Sequence, residues 1–116
     1  MDKKTALSIY KKMVLIRRFE EMLYYIFSTQ KMPGSMHQYN GQEAIAAAIC
    51  EHLEDDDYIT STHRGHGHCL AKGMDLDAVM AEIFAKKTGL CFHEAIYHRL
   101  KRTYNTYHLY HYHPYF

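Results

Sequence analysis

A chain of 116 residues, 47% hydrophobic and 23% charged, has the composition of an ordinary globular domain or of part of one. Its 14 basic and 13 acidic side chains leave a net charge of +1, which excludes the electrostatic footprint of a nucleic-acid or anionic-membrane binder. Three widely spaced cysteines, Cys50, Cys69 and Cys91, contain no Cys-x-x-Cys pair and read as reduced thiols of a cytoplasmic protein rather than a disulfide framework. The first residues hold no signal-peptide core, and no stretch is long and apolar enough to span a bilayer.

Residues 2–29 predict one long helix. Ala6, Ile9, Tyr10, Met13, Ile16, Phe19, Leu23, Ile26 and Phe27 recur at steps of three and four and form one apolar stripe. Asp2 or Thr5 caps its start, and Arg17 reaches Glu20 and Glu21 at helical spacing. The opposite face also carries Val14, Leu15, Met22, Tyr24 and Tyr25, so this helix wants partners on more than one side.

Pro33-Gly34 opens a turn. Asn40 followed three residues later by Glu43, just ahead of an alanine-rich apolar run, is a capping-box arrangement and predicts a helix from Gly41 to about Leu53. Asp55-Asp56-Asp57 reads as a solvated turn, and Tyr58-Ile59-Thr60 as a short buried strand.

That strand leads into Ser61-Thr62-His63-Arg64-Gly65-His66-Gly67-His68, a poor recipe for a core and a good one for a binding loop. Its glycines let backbone N–H groups approach a ligand, and the Arg64 guanidinium matches phosphate oxygens. A helix from about Gly65 to Lys72 aims its N-terminus at the same anion and stops at Gly73. Asp75 then caps a further helix in which Leu76, Val79, Met80, Ile83 and Phe84 fit the helical template, with Lys86 and Lys87 in its last turn and Gly89 ending it.

After Cys91 the character changes. Residues 92–116 hold five of the 10 histidines and six of the 11 tyrosines, in a low-complexity alternation around one short helical stretch at Glu94–Arg102. The fold expectation is therefore mainly α with one short strand, with residues 1–91 as one unit and 92–116 as a divergent, poorly ordered tail.

Several patches together resemble one family. Met13 to Glu20, His37 to Glu43, Asp56 to Tyr58 running on through Arg64-Gly65-His66-Gly67, and Ala81 to Gly89 stand in the order and spacing of the alpha subunit of thiamine-diphosphate-dependent 2-oxo acid and acetoin dehydrogenase complexes. The resemblance implies an N-terminal fragment of the α/β thiamine-diphosphate-binding fold. It implies an oxidoreductase acting on an aldehyde or oxo group, with a lipoyl disulfide as acceptor. Its partners would be a beta subunit, in a heterotetramer, and a lipoyl-bearing acyltransferase. The substrate would be a small 2-oxo acid or acetoin.

Residue by residue, the resemblance places His37 beside the thiamine and substrate as the catalytic residue, and His63 and Arg64 on the cofactor diphosphate. Histidine rather than tyrosine at position 63 leans toward the acetoin branch. The family continues past the position of Cys91 with a Lys-Gly-x-Gly-Gly-Ser-Met-His run, and further on carries a Gly-Asp-Gly motif and an asparagine that bind Mg2+. This sequence has neither. It covers roughly the first third of a family subunit and is expected to be catalytically silent alone.

Plainer roles stand beside these. His66 and His68 are as well explained by hydrogen bonds within the loop as by function. His63, His66, His68 and Cys69 are zinc-ligand types, but Arg64 among them repels a cation. Without the resemblance, His37 reads as a loop histidine bonding the following helix. Glu43 reads as a helix cap, and Arg17 and Arg18 as salt-bridging surface or interface residues. The alternative for the whole chain is a non-catalytic helical interaction fragment that pairs through its long first helix.

Overall fold

The computed structural model describes residues 1–29, 35–84 and 86–89, and among them four helices: α1 Lys3–Ser28, α2 Glu43–Glu51, α3 His66–Ala71 and α4 Leu76–Ile83. Asp2 starts α1 by accepting from the Thr5 N–H at 2.8 Å. One apolar stripe of α1, Ile16, Phe19 and Leu23, is buried. Onto it pack α2, through Ala46 and Cys50, and α3, through Cys69, Leu70 and Ala71. The alanines of α2 permit a close approach, Ala46 and Ala47 both being 0% exposed. Val79 and Ile83 bring α4 onto α3. Burying side chains such as Ile16 and Leu23 stabilises the assembly by about 1.5–3 kcal/mol each.

Polar contacts fix the register of α1 against α2. Lys12 Nζ lies 2.7 Å from Glu51 Oε2, which also accepts from Ser8 Oγ at 2.8 Å. α3 ends where expected, because Gly73 takes φ +81°. Its N–H donates to Leu70 O and that of Met74 to Cys69 O, the paired bonds of a Schellman cap.

Several expectations change. No strand is present among the described residues. A strand needs a laddered neighbour, and around residues 58–60 the described elements are all helices. Tyr58 is exposed, while Ile59 packs against the core. Tyr10 also faces outward from α1. α2 begins at Glu43 rather than Gly41. Its cap, Gln42, contributes no side-chain bond, and the Glu43 carboxylate accepts from Gly41 N at 3.1 Å in place of the Asn40 box. Arg17 reaches across to Glu43, 2.6 Å away, instead of along its own helix, and Arg18 takes Glu21 at 2.9 Å. α4 stops at Ile83, so Lys86 and Lys87 follow it. Gly89 does not end a helix but folds back on Glu82, whose Oε2 a Cβ at 89 would meet at 2.5 Å. The tail, including Glu94–Arg102, lies outside the described residues.

Candidate functional site

Two loops meet above the middle of α1. The first, residues 35–42, leads into α2, and the second, residues 60–65, leads into α3. At their junction the His37 and His63 rings touch edge to face, with centroids 4.7 Å apart and planes at 77°. Both histidines are exposed. Arg64, half-buried beside them, donates through Nη1 to the Gln38 carbonyl, and its own N–H donates to Thr62 Oγ1 at 3.3 Å. The three residues singled out in the sequence, His37, His63 and Arg64, therefore come together from segments 26 positions apart.

The floor is buried and polar. Glu20, 0% exposed, places Oε1 2.7 Å from His66 Nδ1, and its backbone carbonyl accepts from Gln38 Nε2 at 2.8 Å. Sequence reasoning missed this pair by reading Glu20 only as a partner of Arg17 at helical spacing. The signal was there: Glu20 falls between Ile16 and Leu23 at helical spacing, and a carboxylate on a buried helix face needs a buried partner.

Beside this floor the buried Tyr39 ring meets His68 edge to face, with centroids 5.3 Å apart. Burial pushes the Tyr39 phenol up from its ordinary pKa, and burial pushes the His68 imidazole down. His68 Nδ1 has no hydrogen-bond partner among the described residues.

A metal reading of the loop finds no geometry. His66 is turned down onto Glu20, Cys69 is in the core and His63 is outside against His37. Among the described residues no group of three or more His, Cys, Asp or Glu is placed to hold a metal ion. The donor set here is two exposed imidazoles and the half-buried Arg64 fork, one of whose five N–H groups goes to Gln38. That set fits an anion with several oxygens, such as a diphosphate. No helix among the described residues is long and apolar enough to cross a membrane.

Residues 11–109 match the family model described as dehydrogenase E1 component. Over 91 residues, 78% of the chain, the sequence is 55% identical to the alpha subunit of acetoin:2,6-dichlorophenolindophenol oxidoreductase of Bacillus subtilis and 53% identical to that of Cupriavidus necator. It is 43% identical over 89 residues, 77% of the chain, to the pyruvate dehydrogenase E1 component subunit alpha of Porphyra purpurea. The match spans 27% of each acetoin relative and 26% of the pyruvate one. No solved structure matches.

Proposed function

The chain belongs to the dehydrogenase E1 component family, and from that premise we propose that its two loops bind the diphosphate of thiamine diphosphate. Arg64 and His63 hold phosphate oxygens and His37 faces the substrate. The observation that carries this reading is the contact of His37 with His63, which puts imidazoles from two loops on one outward face beside the braced guanidinium of Arg64. Thiamine diphosphate, when bound, supplies a carbanion that adds to a carbonyl. The chain's own residues do the rest. Arg64 gives a planar fork to the phosphates, and a His37 ring N–H donates to the substrate's carbonyl oxygen.

Higher identity to the acetoin relatives than to the pyruvate ones, with histidine at 63, favours acetoin over a 2-oxo acid as the substrate. The proposal extends to a beta subunit, a lipoyl acceptor and Mg2+. No Gly-Asp-Gly motif occurs in the 116 residues, so these residues alone bind without turnover.

Calorimetry of the chain with thiamine diphosphate and Mg2+ tests this. Saturable heat that disappears in Arg64→Ala supports the reading; no heat at millimolar cofactor sinks it. In that event the exposed Tyr10, Met22, Tyr24 and Tyr25 of α1 favour the second reading, a helical interaction segment.

A further inference from the structure

A closed ring of bonds lies beneath the site. Glu20 Oε1 pairs with His66 Nδ1 at the start of α3. Two residues earlier, Arg64 donates to the carbonyl of Gln38, and the Gln38 side chain returns to the Glu20 carbonyl at 2.8 Å. His37 and His63 each stand one residue away from a member of this ring. One residue of α1 thus grips the first loop by its backbone and, by its carboxylate, the first residue of α3, where the second loop ends.

Stability alone does not explain this residue. A wholly buried carboxylate is costly even when paired, and well-packed apolar replacements of buried ion pairs are often neutral or stabilising. Here Glu20 Oε2 also lacks a hydrogen-bond partner among the described residues, a further cost. What the carboxylate provides is direction: a bond of 2.7 Å fixes the His66 ring, and with it the entry of Arg64 and His63.

We propose that Glu20 is a positioning residue that sets the spacing of His37 from His63 and Arg64, so that both loops face one diphosphate. This role rests on the cofactor reading above.

The test uses the 116-residue chain and its Glu20→Ala, Glu20→Gln and Glu20→Leu variants, each checked for helical circular dichroism. The first readout, without ligand, is the nuclear Overhauser contact between the His37 and His63 rings. The second is affinity for inorganic pyrophosphate. Glu20→Ala loses the ring contact and binds pyrophosphate about tenfold more weakly. Glu20→Gln, whose amide oxygen still accepts from His66, restores both. A ring contact that survives in folded Glu20→Ala overturns the proposal. If Glu20→Ala loses its helicity, Glu20→Leu decides, since it fills the buried space but cannot accept from His66. Loss of the contact in that folded variant upholds the role and retention overturns it. A parent chain that ignores pyrophosphate, yet shows a ring contact dependent on Glu20, refutes the cofactor reading while the loop-holding role stands.

Discussion

The Tyr39 ring occupies the space in which residue 67 would carry a side chain: a Cβ on Gly67 would lie 2.2 Å from Tyr39 Cδ1 and 2.3 Å from Cε1. Tyr39 is 2% exposed and sits one residue from Gln38 and two from His37, so the first loop is seated directly on the backbone of α3. Gly67→Ala gains about 1 kcal/mol of helix propensity. The displaced buried ring costs about 1–3 kcal/mol or more, and at these distances the clash wins. Urea unfolding should show net destabilisation, and the loss should shrink in a Tyr39→Leu background where the ring is gone. Equal losses in both backgrounds would mean the contact does not couple the loops.

Leu23 tests the core under the site. It is 0% exposed where α1 meets the rest of the core, next to the Glu20 turn. Leu23→Ala should lower unfolding free energy by about 2–5 kcal/mol, the spread reflecting how far the cavity collapses. Denaturant midpoints measure it. A loss under about 0.5 kcal/mol, as for a surface substitution, would contradict the burial.

Acid should act in two windows. Burial holds the His68 imidazole below its ordinary 6.5, so the unfolded chain binds a proton that the folded one refuses. Stability therefore falls as pH drops below 6.5 toward the folded value, and this group contributes no slope above it. Burial alone would raise Glu43, but hydrogen bonds from Arg17, its own N–H and Gly41 outweigh it and leave its pKa below 4.5. That carboxylate adds stability above 4.5 which disappears as pH falls through its folded value. Thermal melts between neutrality and strong acid should show both losses, and His68→Gln should remove the first one only.

The sequence exposed most of the helical frame. The Asp2 and Asp75 caps, the stop at Gly73 and the apolar spacing of α1 are local signals, and each is met locally. The convergence of His37, His63 and Arg64 followed only from the resemblance, since a spacing of 26 residues carries no period to read. Contacts between elements were the unreadable part. Arg17 has Glu20 and Glu21 within helical reach but takes Glu43, because α2 crosses beside it and Glu43 is already pointed there by the Gly41 N–H. Likewise no local rule pairs Glu20 with His66, 46 positions away.

Arg64 offers the most direct test of how the anion is held. A point charge and a planar fork differ at this site, because a guanidinium that commits one N–H to the Gln38 carbonyl still has four more to offer. Lysine keeps the charge but cannot brace on Gln38 and also present a bidentate edge to a phosphate. Arg64→Lys should therefore weaken pyrophosphate binding by about tenfold, and Arg64→Ala further. Both variants should keep the helical frame, and Arg64→Ala should also cost about 1 kcal/mol of unfolding free energy, because it leaves the Gln38 carbonyl without its donor. Calorimetric titration separates the cases. If lysine binds as well as arginine, simple charge attraction holds the anion and the braced geometry has no role; if alanine also binds as well, the anion does not sit on this loop.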